Sequence, residues 1–157
     1  MDSRLVATIA ERLLGRGEWL GCAESCTGGL IAKRLTDVAG SSQWFERGLV
    51  TYSNRAKTEL LGVPAALLER HGAVSRDCVE AMALGLLSRA PVQWALAVTG
   101  IAGPGGGSDD KPVGTVWIGC ASATHAITRH FLFLGDREDV RRQAAAAALQ
   151  LLFESIR

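Results

Sequence analysis

The sequence predicts an α/β fold: a single-domain three-layer α/β/α sandwich around a mixed, mainly parallel sheet of about five strands. Three observations predict it. Two short runs, Trp19-Leu20-Gly21-Cys22-Ala23 and Trp94-Ala95-Leu96-Ala97-Val98-Thr99, are almost continuously apolar, as strands covered on both faces are. Helical patterns alternate with strand patterns through the N-terminal part of the chain, as the crossovers between parallel strands require. Late in the chain two strand patterns follow one another across Ala121-Ser122-Ala123-Thr124, which suits an antiparallel hairpin.

The elements follow in order. Residues 2–16 read as an amphipathic helix, with Leu5, Ile9 and Leu13 on one face and Gly15-Arg16-Gly17 ending it. Residues 19–24 are the first strand. Thr27 is a candidate N-cap for a helix over about 28–37. A loop over 38–42 leads to a short turn at Gln43-Trp44-Phe45-Glu46. Gly48 to Ser53 is the second strand. Asn54 is placed to cap a helix through Lys57, Leu60 and Leu61 that stops at Gly62. Pro64 starts a short helix over 64–70. Ser75 caps another that reaches Leu87, bounded by Pro91. A third strand over 94–99 ends at Gly100, and two more lie at 113–120 and 125–134. The last helix covers about 136–155, with Asp136 as its cap and Asp139 at the third helical position.

Composition narrows the function classes. The 157 residues make one domain by length, and no linker or internal repeat divides 1–157. Lys and Arg number 17 against 16 Asp and Glu, a formal charge of +1, so no charge excess asks for nucleic acid or an anionic membrane. The N-terminus lacks the long apolar stretch of a signal peptide. The four cysteines, at 22, 26, 78 and 120, and the three histidines, at 71, 125 and 130, show no metal-ligand spacing. A cytoplasmic protein with reduced thiols, no metal and no cofactor is the expectation. Sheet edges need protection, so a homodimer is expected, with Trp44-Phe45 a candidate for either core or interface.

Four places could carry chemistry. The first is Ala23-Glu24-Ser25-Cys26-Thr27-Gly28-Gly29, a hydroxyl-rich turn from a strand into a helix. A helix start carries unpaired N–H groups and partial positive charge, so it offers a nucleophile and donors for an oxyanion together. Ser25 and Thr27 compete as that nucleophile; Cys26 has no histidine with an evident route to it. The second is Tyr52, the only tyrosine, with Lys57 five residues on. Lys57 accepts a serine proton only when neutral, which requires burial or a neighbouring cation, and Glu24 is placed to hold it protonated instead. The third is the glycine loop, Gly100-Ile101-Ala102-Gly103-Pro104-Gly105-Gly106-Gly107, whose N–H groups can cradle a phosphate or a nucleotide edge. It has neither the P-loop order nor the Rossmann order. The fourth is Asp136-Arg137-Glu138-Asp139-Val140-Arg141-Arg142, where the arginines either face an anion or pair with Glu138 and Asp139 along the helix.

The residues also carry a resemblance. Ala23 to Gly29, Gly48-Leu49-Val50-Thr51-Tyr52-Ser53-Asn54, His71-Gly72-Ala73-Val74-Ser75, Gly100 to Gly106, Lys111-Pro112-Val113-Gly114-Thr115-Val116, and Gly135-Asp136-Arg137 with Arg141-Arg142 resemble the CinA C-terminal-domain family over nearly the whole chain. The likeness is to its stand-alone form; the fused form has a further N-terminal domain for which there is no room here. The resemblance implies hydrolysis of the carboxamide of nicotinamide mononucleotide to nicotinate mononucleotide and ammonia, in pyridine-nucleotide recycling. It selects Ser25 as nucleophile, with Tyr52 and Lys57 as its proton-handling partners. The substrate-binding residues are then Thr27, Gly28, Gly29, Asn54, Thr99, Gly100, Gly103 and Gly105, with Arg141 or Arg142 for the 5′-phosphate. The other readings are a non-catalytic nucleotide-binding module and a hydrolase of another amide. A Ser25–Lys57 contact favours the enzyme, because a binding module has no use for it.

Overall fold

The computed structural model describes residues 3–157. Five strands form one sheet: β1 (Leu20–Glu24), β2 (Phe45–Val50), β3 (Trp94–Gly100), β4 (Thr115–Ala121) and β5 (Ala126–Leu132). Their spatial order is β2-β1-β3-β4-β5. β1 runs parallel to β2 and β3, while β3–β4 and β4–β5 are antiparallel. The helices are α1 (Ser3–Arg16), α2 (Leu30–Thr36), α3 (Asn54–Leu61), α4 (Ala65–His71), α5 (Arg76–Arg89) and α6 (Arg137–Ser155). The predicted three-layer sandwich with a mixed five-stranded sheet is the observed architecture. None of these helices is long and apolar enough to cross a membrane.

Two cores flank the sheet. On one face Val6, Ile9 and Leu13 of α1, Ile31 and Leu35 of α2 and the alanine-rich side of α6 pack on Leu20, Cys22, Leu96 and Ile118. On the other, Leu61 of α3, Leu68 of α4 and Val79, Met82 and Leu86 of α5 pack on Ala23, Ala95 and Ala97. Small residues on that second face let α5 lie close. Gly85 of α5 abuts the chain at Leu61, where an added methyl would collide with the Leu61 carbonyl. Gly85→Ala is therefore expected to cost about 1–3 kcal/mol, read as a lower denaturation midpoint.

The element boundaries differ from the sequence reading at a few places. Met1 and Asp2, where the first predicted helix begins, lie outside the described residues. The second strand is Phe45–Val50 rather than 48–53. Trp44, read as part of a turn, is 1% exposed and belongs to the core, so the chain enters the ladder directly after it. Ser53, not Asn54, caps α3, its hydroxyl accepting from the Ala56 N–H at 3.0 Å. At α2 the cap position is Gly29 rather than Thr27. Two cap readings are borne out: Ser75 accepts from the Cys78 N–H, and Asp136 and Asp139 form a reciprocal capping box at α6.

This topology positions a site. The β1–β2 crossover uses α2 on one face, and the β2–β3 crossover uses α3 to α5 on the other. Strand order therefore reverses at β1. In open α/β sheets, ligands bind beyond the carboxyl ends of the strands at such a reversal. The residue just beyond the carboxyl end of β1 is Ser25.

Candidate active site

Ser25 stands where β1 runs out. Its N–H still donates to the Val98 carbonyl of β3 at 3.1 Å, so the neighbouring strand fixes the backbone of this residue. The chain then turns through Cys26, Thr27, Gly28 and Gly29 into α2. Gly28 and Gly29 have φ of 59° and 104°, a region that side chains rarely tolerate.

Lys57 reaches this serine from α3. Its Nζ lies 3.1 Å from Ser25 Oγ, 3.0 Å from the Thr51 carbonyl oxygen and 3.0 Å from the Tyr52 carbonyl oxygen. Ser25 is 7% and Lys57 1% exposed. Among the described residues no carboxylate comes within ion-pair distance of this ammonium. Burial holds the Lys57 pKa below the ordinary lysine range, with Cys78 and Cys26 pulling the other way. As placed, Nζ donates to Ser25 Oγ and to both carbonyls, and the Ser25 hydroxyl donates in turn towards the Tyr52 carbonyl at 3.5 Å. On losing a proton the amine keeps two N–H groups for the carbonyls and gains a lone pair within reach of Ser25 Oγ. Cys26, one residue on, is unsuited to the nucleophile's part, because burial pushes its thiol up to about 12.

Glu24 does not hold Lys57 charged, contrary to one reading of the sequence. Successive side chains on a strand point to opposite faces, so Glu24 and Ser25 part company. The Glu24 carboxylate is 1% exposed and caps α2 from within the sheet. One oxygen accepts from Thr27 Oγ1 at 2.6 Å and from the N–H groups of Gly29 and Ile31; the other accepts from the Ala32 N–H at 3.0 Å. Thr27 is thereby a donor to Glu24 and completely buried. Glu24→Ala strands those buried donors and is expected to cost about 3–5 kcal/mol, measured by chemical denaturation.

The same capping changes which N–H groups remain available. Gly28 donates to the Ser25 carbonyl, Leu30 to the Thr27 carbonyl, and Gly29 to Glu24. The donors expected near Gly28 and Gly29 are therefore spent. Among the described residues the N–H groups of Cys26 and Thr27 donate to no other residue.

The arginines of α6 part along the helix. Arg141 donates from Nε to the Cys26 carbonyl and from Nη2 to the Thr27 carbonyl, both at 3.1 Å, and so braces the turn after Ser25. A guanidinium has five N–H donors, and three of those of Arg141 remain. Arg137, one of the three arginines expected either to face an anion or to pair along the helix, donates to the Gly103 carbonyl at 2.7 Å and the Tyr52 hydroxyl at 3.1 Å. Being four residues apart puts Arg137 and Arg141 on one helix face. Both line a cavity of 720 Å³ with Ala102, Pro104 and Val113 of the glycine loop and its exit. Arg142 turns away from it and pairs with Asp139 at 2.6 Å.

The remaining predicted residues are placed as follows. Tyr52, 59% exposed as a residue, contributes its carbonyl to the Ser25–Lys57 contact, while its hydroxyl meets Arg137 instead. Gly103 is tied to Arg137 and Gly105 is exposed in the same loop. The Thr99 hydroxyl is buried and donates to the Ala73 carbonyl. Gly100 ends β3, where Thr115 and Val116 of β4 crowd it. Asn54 lines a separate groove between α3 and α4. The carbonyls of Thr51 and Tyr52 escaped the sequence reading because main-chain groups have no residue signature. Arg137 did carry a signal, as the first helical residue after a capping box and the i−4 neighbour of Arg141.

Fold and contact together define a class: an α/β/α protein with a buried serine–lysine contact at the carboxyl ends of parallel strands. The chain matches the CinA C-terminal domain over residues 2–156. It is 57% identical over 147 residues to the nicotinamide-nucleotide amidohydrolase PncC of Enterobacter agglomerans, covering 93% of this chain and 90% of that one. To the protein of the same name from Escherichia coli strain K12 it is 53% identical over 152 residues, covering 96% and 92%. A CinA-like protein of Geobacter sulfurreducens is 53% identical over 96% of this chain, which matches only 37% of that longer relative. Among solved structures, the competence/damage inducible protein CihA from Agrobacterium tumefaciens superposes with a TM-score of 0.95 at 42% identity, over 97% of this chain and 93% of that one. This chain belongs to the CinA C-terminal-domain family.

Proposed function

We propose that this protein is an amidohydrolase acting on a nucleotide, and specifically that it converts nicotinamide mononucleotide and water to nicotinate mononucleotide and ammonia. The observation that carries the reading is the 3.1 Å contact between Ser25 Oγ and Lys57 Nζ. Relatives named as nicotinamide-nucleotide amidohydrolases support the substrate class.

The steps follow from the atoms present. Ser25 Oγ attacks the carboxamide carbon as its proton passes to the lone pair of Lys57. The developing oxyanion is held by the N–H groups of Cys26 and Thr27. The carbon–nitrogen bond breaks as Lys57 returns that proton to the leaving nitrogen, and ammonia departs. Water then attacks the ester on Ser25, Lys57 takes its proton, and Ser25 leaves with that proton restored. The 5′-phosphate is assigned to Arg141 through its remaining donors, with Arg137 beside it. The glycine loop at Gly103 and Gly105 borders the ribose. The Tyr52 phenol, held by Arg137, walls the mouth.

Ammonia release from nicotinamide mononucleotide, with free nicotinamide and the dinucleotide as comparisons, tests this. Turnover of the mononucleotide with little or none of free nicotinamide is expected. Release from an unrelated amide, with the mononucleotide inert, would contradict the substrate while leaving the serine chemistry standing.

A further inference from the structure

A second cavity, of 440 Å³, opens between α1, α2 and α6 on the other side of Arg141. Its volume falls in the range of small-molecule sites, roughly 300–1,000 Å³. The wall is apolar at Val6, Leu30 and Val38, and Lys33, Arg34, Arg141 and Arg142 face Asp37 and Glu138 around it. The cations are not equally satisfied. Lys33 pairs with Asp37 at 2.8 Å and Arg142 with Asp139 at 2.6 Å. Arg34 is half-buried, and among the described residues it has no carboxylate partner. Among the described residues its Nη1 meets the Arg142 carbonyl alone, at 3.4 Å. Burial and then the nearby Arg142 charge lower its pKa, with Asp37 pulling the other way but outside ion-pair distance. A half-buried guanidinium set beside another cation is costly, and an anion between them removes the cost. Planar guanidinium forks favour phosphate in particular.

We propose that this cavity binds a small phosphorylated ligand, with its phosphate between Arg34 and Arg142 and its apolar part against Val6, Leu30 and Val38. Arg141 lines both cavities and braces the carbonyls of Cys26 and Thr27. It links the second site to the turn that carries Ser25. Glu138 lines both cavities as well, but of the two only Arg141 touches that turn, so occupancy is coupled to substrate binding through Arg141, and coupling of this kind is typically 5–150-fold in affinity. That coupling rests on the proposed function; the binding site itself does not.

Calorimetry with adenosine monophosphate, and with inorganic phosphate for comparison, tests the site without any turnover. Adenosine monophosphate is expected to bind more tightly than phosphate, because only it covers the apolar wall. Arg34→Gln should weaken it by about tenfold or more, with Arg34→Lys intermediate and circular dichroism unchanged. Without the ligand, Arg34→Gln should leave the KM for nicotinamide mononucleotide unaltered. Absence of binding, or binding that Arg34→Gln leaves untouched, would overturn the proposal. So would a KM raised by Arg34→Gln with no ligand present, because the cavity would then be the substrate's own phosphate site. Failure of the wild type to release ammonia would count against the proposed function alone.

Discussion

Ser25→Ala is expected to reduce ammonia release from nicotinamide mononucleotide by about 10³-fold or more while leaving the fold intact. The side chain is small, and its hydroxyl closes no element: the Ser25 N–H, not the oxygen, ties β1 to Val98. The substitution leaves the Lys57 amine its two carbonyl partners. The loss should fall on kcat under single-turnover conditions, with substrate affinity nearly unchanged, because the residues assigned to the phosphate and ribose lie elsewhere. Thr27 offers no substitute nucleophile. Its hydroxyl is buried and committed to Glu24 at 2.6 Å.

Lys57→Met should cost about 10²–10⁴-fold in kcat, the usual contribution of a positioned general base. Stability should fall by no more than about 1–3 kcal/mol, because the Thr51 and Tyr52 carbonyls lose a donor while methionine fills the same buried volume without an amine to desolvate. The pH dependence gives a second readout. Only neutral Lys57 accepts the serine proton, so kcat/KM should rise with pH along a limb whose midpoint lies below the ordinary lysine range. The stability effect has the same sign. Lys57 is held lower in the folded protein than in the unfolded chain, so the unfolded chain binds its proton more readily. The penalty is fully present below the folded pKa and is relieved as pH rises towards the unfolded value. Wild-type stability should therefore gain on that of Lys57→Met across this alkaline window, measured by denaturant titration at several pH values.

The central strands were the most legible part of the sequence. Ala23, Ala95, Ala97 and Leu96 are buried on a sheet packed from both sides, and continuous apolar runs say so directly. The second strand was harder. Thr51 and Tyr52 are strand-like residue types, yet their carbonyls turn to Lys57 and the Ser53 hydroxyl caps α3. Local propensity cannot register those tertiary partners. Glu24 shows a related limit. Adjacency to Ser25 suggests a shared role, whereas the two-residue period of a strand sends the two side chains to different faces. The helix period likewise sorts Arg137 and Arg141 from Arg142. Which of them faces the glycine loop depends on how α6 is rolled against the sheet, and only packing determines that. The Ser25–Lys57 pairing spans 32 positions. Residue types made it conceivable, and the resemblance made it specific.

The central claim is that Ser25 carries the acyl group during amide hydrolysis. Rapid acid quench of the protein with nicotinamide mononucleotide, followed by peptide mass spectrometry, tests it most directly. The account predicts the peptide containing Ser25 carrying a nicotinate-mononucleotide acyl adduct, and its absence from Ser25→Ala. Undiminished ammonia release by Ser25→Ala, with no acyl adduct on Ser25 in the wild type, would contradict it.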